Sequence, residues 1–235
     1  MPIDRRNAVR GLSALVLGGV TIPACGEGGR DSADAGEDEG ATGEPGTCVL
    51  LPEQTPGPFY FDPDLVRSDI TEGKPGIALR LLIRVLRADD CAPIVGAMVD
   101  VWHTDALGWY SGYAGQGDGG DEDTTGQTFL RGVQPTDAEG HAEFRTIYPG
   151  WYPSRTTHIH VKVHIDDTTV ATSQLYFPDD VSAAVYGEAP YDARGPKPVA
   201  NDDDGIFVNA GGASAMLEVV PEREGYLASV DAVVA

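Results

Sequence analysis

The strongest chemical signal in the sequence is a pair of histidines in one β-branched stretch. Residues 157–165 alternate polar and apolar side chains with a period of two, which predicts a half-buried strand. His158 and His160 therefore share one face, with Cα atoms about 6 to 7 Å apart, close enough to bind one ion. His164 lies about 13 Å beyond His160 along the strand and is too distant to join them. Two exposed polar histidines on a sheet face are the alternative interpretation.

Two tyrosines extend this candidate site with oxygen donors. Tyr152 lies in a Pro-rich turn before the histidine strand, where the fixed φ angles of prolines hold a side chain at the strand mouth. Tyr110 follows a second strand that ends in a tight turn. Neutral imidazole suits zinc, copper or iron, whereas a phenol with a pKa of about 10 ionises near neutral pH only beside a strongly charged Lewis acid. Two phenolates and two imidazoles on one ion therefore predict a trivalent metal, of which ferric iron is the available one.

The elements that must position these side chains are predicted to be short strands. Strands separated by turn signals, with little helix, predict an all-β antiparallel β-sandwich over residues 48–235. Helix is predicted only at about residues 180–187. Residues 112–126 and 185–205 are expected to be active-site loops, because such long loops in a compact domain are usually functional or mobile. The predicted strands are 77–86, 97–102, 128–133, 141–147, 157–165, 170–177, 206–208, 216–219 and 226–234.

The first 47 residues are predicted to lie outside the folded domain. Arg5 and Arg6 precede an apolar run that is too short to span a bilayer, which predicts a twin-arginine export signal over residues 1–25. The residues before Cys25 resemble the lipobox of bacterial lipoproteins. We therefore expect a lipid anchor at Cys25, with simple cleavage as the alternative, and a cell-envelope, periplasmic or secreted location. Residues 26–47 are rich in Gly, Asp, Glu and Ala, which predicts a disordered acidic linker.

The composition argues against several classes of partner and chemistry. The formal charge of −21 argues against nucleic acid and anionic membrane surfaces, because phosphate binding needs clustered Lys and Arg. With 41% hydrophobic residues the chain can bury a real core. The sequence has no Gly-rich phosphate-binding loop, G-x-S-x-G, H-E-x-x-H or C-x-x-C motif. Nucleotide-binding, serine-hydrolase and zinc-protease interpretations therefore lose their usual support.

The chain has three cysteines, an odd number. Lipidation of Cys25 would leave Cys48 and Cys91 as a pair. Outside the cytoplasm such a pair is expected to form a disulfide, which would fix the start of the folded domain to the turn at Cys91. Two buried thiols are the alternative.

Four ordered motifs resemble one enzyme family. The first, C-x-P-x-x-G-A-x-V-D-V-W-x-x-D-x-x-G-x-Y-S, begins at Cys91, and the second, T-I-x-P-G-x-Y-P, ends at Pro153. The third, R-x-x-H-I-H, begins at Arg155, and the fourth, Q-L-Y-F, begins at Gln174. In this order and spacing they resemble the intradiol ring-cleavage dioxygenases, which include catechol, protocatechuate and hydroxyquinol dioxygenases. The resemblance covers about residues 51–234.

The resemblance implies roles for individual residues. Arg155 and Gln174 would be active-site residues that flank the bound substrate. The substrates would be a small aromatic diol and O2, and the ring would open between the two hydroxylated carbons to give a cis,cis-muconate-type product. Tyr152 would be the tyrosinate that the diol displaces. The resemblance implies four ligands of non-haem Fe(III): Tyr110, Tyr152, His158 and His160.

The chain departs from the cytoplasmic members of that family. Its export signal and cysteines resemble the secreted branch. It shows no counterpart of the N-terminal helical segment that forms the dimer of catechol dioxygenases, so the oligomeric state stays open, as does the particular catechol.

Two other interpretations compete with this resemblance. A copper/zinc superoxide dismutase-like sandwich is also exported and also uses an H-x-H strand, but His103, His141 and His164 do not easily supply its further ligands. The second alternative is a non-enzymatic sandwich that binds carbohydrate or a cell-surface partner through Trp102, Trp109 and Trp151.

Overall fold

A computed structural model describes residues 48–62, 64–166 and 168–235. The predicted export signal and acidic linker, residues 1–47, lie outside the described residues. Within the described part, no helix is both long and apolar enough to cross a lipid bilayer. The helices are α1 (Asp179–Val185) and α2 (Gly205–Asn209), with short 3-10 helices at Tyr191–Arg194, Asn201–Asp203 and Gly212–Ala215. The strands are β1 (Ala78–Arg87), β2 (Met98–Trp102), β3 (Ala114–Gln116), β4 (Glu122–Asp123), β5 (Arg131–Pro135), β6 (His141–Ile147), β7 (His158–Ile165), β8 (Thr168–Tyr176), β9 (Glu218–Glu222) and β10 (Gly225–Val234).

Two four-stranded sheets form the predicted β-sandwich. One sheet has the strand order β6–β1–β10–β9 and the other β5–β2–β7–β8. Each fully buried aliphatic side chain between them stabilises the fold by about 1.5 to 3 kcal/mol relative to exposure. The central strands contribute side chains with at most 1% exposure to this core: Leu79, Leu81, Ile83 and Val85 from β1, Val99 and Val101 from β2, and Ile159, Val161 and Val163 from β7.

One ladder of the first sheet differs from the prediction. β1 pairs with β10 in parallel, from Leu79 opposite Tyr226 to Arg87 opposite Val234, whereas the other named ladders are antiparallel. The prediction of a purely antiparallel sandwich is therefore wrong. Period-two alternation identifies the buried face of a strand but carries no information about its direction.

The predicted strand at residues 206–208 is also wrong, because this apolar triplet lies in helix α2. The Asp204 carboxylate accepts hydrogen bonds from the backbone N–H groups of Ile206 at 2.8 Å and Phe207 at 3.2 Å. An aspartate that satisfies these amides is a strong helix N-cap. The local cap therefore decides the conformation of an ambiguous apolar run.

Other predicted elements shift or gain structure. The predicted strands 128–133 and 216–219 are observed as β5 and β9, displaced toward the C-terminus, and the predicted helix 180–187 is α1. The predicted loop 112–126 contains the small hairpin β3–β4, and the loop 185–205 contains two 3-10 helices.

The outer face of the second sheet carries the side chains that can bind a metal or take part in a reaction. The strand register places Trp102 opposite both Arg131 and His160, and His160 opposite Gln174. Side chains of directly opposed residues point to the same face of a sheet. This row therefore lies on the face away from the hydrophobic core.

A covering segment, residues 52–61, crosses this outer face. The Gln54 backbone N–H donates to the Thr172 carbonyl at 2.7 Å, and Ser173 Oγ donates to the Pro52 carbonyl at 2.6 Å. The segment begins just after Cys48, which forms a disulfide with Cys91 across a Cα–Cα distance of 5.9 Å. The predicted disulfide is confirmed.

Candidate metal centre

Four side chains converge on one point at the start of β7. His158 Nε2 lies 3.2 Å from His160 Nε2, 3.1 Å from Tyr152 Oη and 3.5 Å from Tyr110 Oη. Both histidines and Tyr110 are at most 3% exposed, and Tyr152 is partly exposed. Atoms that are each about 2 Å from one ion lie at most about 4 Å apart. The three distances from His158 Nε2 are therefore short enough for one metal ion to be held by the four donors predicted from the sequence.

The local sequence explains how each donor reaches this point. His158 and His160 project from the same face of β7, as the alternation predicts. Tyr152 comes from the turn before that strand, and Tyr110 comes from the turn after β2. His164 lies elsewhere, with Nδ1 2.9 Å from Thr169 Oγ1.

Hydrogen bonding and burial hold the imidazoles in a form that can bind a cation. His158 Nδ1 lies 2.7 Å from the Thr156 carbonyl, which only accepts, so Nδ1 donates and the Nε2 lone pair faces the other donors. His160 stacks on Trp102 with ring centroids 4.8 Å apart and planes 6° from parallel. Burial, reinforced by the charge of Arg155, lowers the pKa of His158 to about 3. Burial and the neighbouring His158 lower the pKa of His160 as well, so both rings are neutral at pH 7.

The two phenols need a highly charged partner to ionise. Burial raises the pKa of Tyr110 well above its ordinary value. Burial also raises the pKa of Tyr152, although the Arg155 charge opposes the rise. Without a metal both phenols stay protonated at neutral pH. The donor chemistry therefore fits a strong Lewis acid such as Fe(III), which can displace these protons.

Arg155 and Gln174 lie beside the four donors, as predicted. Arg155 Nη1 is 3.4 Å from Tyr152 Oη and 3.5 Å from His158 Nε2. Arg155 Nη2 donates to Gln174 Oε1, and Gln174 Nε2 donates to the Thr55 carbonyl at 3.0 Å. A fixed cation therefore faces the donor cluster.

Sequence reasoning missed several residues that shape this site. Asp204, which is 1% exposed, accepts a hydrogen bond from Arg155 Nε at 2.8 Å. Its position before an apolar triplet is a helix N-cap signal that the sequence did contain. Gly57, with φ of +68°, passes so close to His160 that a Cβ would lie 3.4 Å from Cε1 of the ring. A side chain there would contact the ring and would strain the backbone, because this φ lies in the left-handed region.

The two competing interpretations lose support at this site. His103 Nδ1 lies 2.8 Å from the Thr104 carbonyl and His103 Nε2 lies 2.7 Å from Thr146 Oγ1, so that ring is engaged elsewhere. Within residues 48–62, 64–166 and 168–235 no group of three or more His, Cys, Asp or Glu side chains is placed to hold an ion. The superoxide dismutase-like alternative therefore has no further histidine ligand at this site among the described residues.

The tryptophans do not form an open binding platform. Trp102 is 1% exposed and stacks on His160. The Arg194 guanidinium covers the Trp151 ring at 4.0 Å from its centroid. Trp102 is therefore closed to a carbohydrate, and the guanidinium occupies one face of Trp151.

Comparisons with known proteins agree with the motif resemblance. A family model described as Dioxygenase matches residues 57–186. An intradiol ring-cleavage dioxygenase from Tetranychus urticae is similar over 80% of this chain and 94% of its own, with 30% identity and a TM-score of 0.73. The dioxygenase domain of a carbohydrate-binding fusion protein from Streptomyces sp. SirexAA-E is similar over 79% of this chain and 97% of its own, with 32% identity and a TM-score of 0.56.

A curated relative gives a shorter match. A chlorocatechol 1,2-dioxygenase from a Pseudomonas species is 33% identical in an alignment of 116 residues that covers 41% of this chain and 43% of the relative. The matches span between a third and about half of the length of the curated relatives. The family model nevertheless matches more than half of the chain. The matched residues include the two tyrosine and two histidine donors. The chain belongs to the intradiol ring-cleavage dioxygenase family.

Proposed function

We propose that the protein is a non-haem Fe(III)-dependent intradiol dioxygenase. It would cleave a catechol-type diol with O2 between the two hydroxylated carbons and give a cis,cis-muconate-type product. The observation that carries this proposal is the convergence of two buried imidazoles and two phenols around His158 Nε2. The names of relatives, which include catechol and chlorocatechol 1,2-dioxygenases, support the reaction class. Bound Fe(III) would act as a Lewis acid that binds the diol oxygens and activates the ring toward O2.

The two proposed tyrosine ligands differ in how firmly the chain holds them. Tyr110 is 1% exposed, its backbone N–H donates to Gln116 Oε1 at 2.9 Å, and its carbonyl accepts from Thr124 Oγ1 at 2.6 Å. Tyr152 is partly exposed in a turn where the next two residues, Pro153 and Ser154, are exposed. Tyr152 would therefore be the tyrosinate that the diol displaces, and its released phenolate oxygen would accept a proton from a diol hydroxyl.

Arg155 would stabilise the negative charge of the bound diol. Its Nη1 faces both Tyr152 Oη and His158 Nε2, two of the four proposed donor atoms. Gln174 and Asp204 hold the other guanidinium nitrogens, so the cation does not need to reorganise during the reaction.

We also propose that the protein is exported by the twin-arginine route. Residues 1–25 would be the signal, Cys25 a lipid anchor and residues 26–47 a linker to the domain at 48–235. The Cys48–Cys91 disulfide supports this location, because disulfides persist in oxidising compartments. Cys25→Ser should release the protein from the membrane fraction, and wild-type protein that is already soluble and unlipidated would contradict the anchor.

The product of ring cleavage tests the proposed reaction. Iron-loaded protein should consume O2 with catechol and form cis,cis-muconate without added reductant or Fe(II). His160→Ala should lose iron and activity together. His164→Ala, on the same strand but outside the donor cluster, is the matched control and should keep both. Formation of a yellow semialdehyde, the product of cleavage beside the diol, would contradict the proposal.

A further inference from the structure

A small cavity lies beside the two proposed tyrosine ligands. Its volume of about 110 Å³ is well below the roughly 300 to 1,000 Å³ of clefts that hold drug-sized ligands, so it has room for about one aromatic ring. Phe59 of the covering segment forms one wall and stacks on Tyr110 with ring centroids 4.7 Å apart. Tyr152 and Pro153 form another wall.

Among the described residues that line this cavity, two carry a charge, and their charges are opposite: Asp118 and Arg194. Asp118 lies at the tip of the β3–β4 hairpin and its side chain is 60% exposed, whereas that of Arg194 is 12% exposed. Arg194 Nη2 donates to Asp118 Oδ1. The pair therefore adds no net charge to the cavity wall.

Arg194 is held in place by groups other than Asp118. Its Nη1 donates to the Leu107 carbonyl at 2.6 Å and to the Trp151 carbonyl at 2.5 Å. Gly108 permits this approach, because its φ is +80° and a Cβ there would lie 2.3 Å from Arg194 Nη1. Removal of the Asp118 charge would therefore leave the guanidinium in place at the cavity wall without its counterion.

The hairpin that carries Asp118 is fixed to the site by its own side chains. Gln116 Oε1 accepts the Tyr110 backbone N–H at 2.9 Å, and Thr124 Oγ1 donates to the Tyr110 carbonyl at 2.6 Å. These two bonds tie the arms of the hairpin to the tyrosine beside the cavity. Tyr110, a proposed metal ligand, therefore also fixes the position of the Asp118 hairpin at the cavity.

We propose that the Asp118–Arg194 ion pair selects an uncharged, one-ring diol over a carboxylated diol. This inference rests on the function proposed above. A substrate carboxylate in the cavity would lie near the Asp118 carboxylate, and the Arg194 charge that could attract it is already neutralised by Asp118, with three of the five Arg194 N–H groups engaged. An anion that loses water without gaining a partner binds poorly. An uncharged catechol carries no such cost.

Asp118→Asn tests this selection. Asparagine keeps the size of the side chain and an acceptor for Arg194 but removes the negative charge. The ratio of kcat/KM for protocatechuate to kcat/KM for catechol should rise about tenfold, which corresponds to about 1.4 kcal/mol. Asp121→Asn is the matched control, because it removes the same charge from the same hairpin without lining the cavity. That variant should change the ratio less than about twofold, because the Asp121 side chain does not line the cavity.

The outcomes separate this inference from the proposed function. Wild-type cleavage of catechol with a raised ratio in Asp118→Asn alone supports the selection by the ion pair. Wild-type cleavage of catechol with an unchanged ratio, or with equal changes in both variants, overturns the selection and leaves the dioxygenase function standing. A wild-type protein that prefers protocatechuate also overturns it. Failure of iron-loaded wild-type protein to cleave either diol would overturn the proposed function and this inference together.

Discussion

Asp204→Asn tests how the fold holds Arg155 against the metal centre. One carboxylate oxygen of Asp204 accepts from Arg155 Nε and from the Thr156 backbone N–H, both at 2.8 Å, and the other caps α2. An asparagine can keep the helix cap through its remaining oxygen. Its amide NH2 would then face two donors, so both bonds at the other position would be lost.

The structure sets the size of this effect. Breaking a buried ion pair by removing one partner costs about 3 to 5 kcal/mol. The Arg155 side chain is 15% exposed and water can replace part of the lost contact, so we expect the lower end, about 3 kcal/mol. Each kcal/mol shifts Tm by about 2 to 4 °C in a domain of this size, which predicts a fall of about 6 to 12 °C. Arg155 would also lose its fixed orientation, so kcat should fall about tenfold.

Urea denaturation and ring-cleavage kinetics measure both effects. Asp203→Asn is the matched control, because Asp203 is the adjacent residue and is exposed. Burial alone would raise the pKa of Asp204, but hydrogen bonds from Thr156 and Arg155 outweigh it and lower the pKa below its ordinary value. The stability that Asp204 contributes is therefore present above the unfolded pKa of about 3.9 and is lost as pH falls below it. Equal unfolding midpoints for Asp204→Asn and Asp203→Asn at pH 7 would refute this reasoning.

Two further predictions concern stability away from the metal centre. Burial raises the pKa of Asp100 to about 7, even though Tyr60 donates a hydrogen bond to it. As pH rises from about 4 to about 7, wild-type protein should therefore lose stability relative to Asp100→Asn, by on the order of 4 kcal/mol. A difference in urea midpoints that does not change with pH would argue against this. The Cys48–Cys91 disulfide closes a loop with a sequence separation of 43, for which chain entropy predicts about 4 kcal/mol of stabilisation. Cys48→Ser should unfold at lower urea than wild type, and identical midpoints under oxidising conditions would contradict the disulfide's role.

The sequence predicted those parts of the site that depend on local pattern. Alternation in residues 157–165 placed His158 and His160 on one face, and the rise along the strand excluded His164 by distance. The ordered motifs placed Arg155 and Gln174 beside the two histidines. The structure brings all of these together except His164. Strand periodicity and short turns are local properties, so a single sequence can carry them.

Contacts between distant segments could not be predicted in the same way. Asp204 reaches Arg155 across 49 residues, and Gln174 reaches Thr55 across 119. The residues next to Asp204 in the sequence do not identify Arg155 as its partner. The parallel direction of the β1–β10 pair could not be predicted for the same reason. Strand direction depends on the path of the whole chain between the two strands.

The visible absorption spectrum of the iron-loaded protein tests the central claim most directly. If Tyr110 and Tyr152 bind Fe(III) as phenolates, wild-type protein should be red to burgundy, and Tyr110→Phe and Tyr152→Phe should each shift the absorption band. Tyr113→Phe is the matched control, because Tyr113 Oη donates to the Tyr60 carbonyl at 2.9 Å outside the donor cluster, and its band should not move. A colourless, zinc-loaded protein with full ring-cleavage activity, or a band that shifts equally in all three variants, would contradict a ferric centre with two tyrosine ligands.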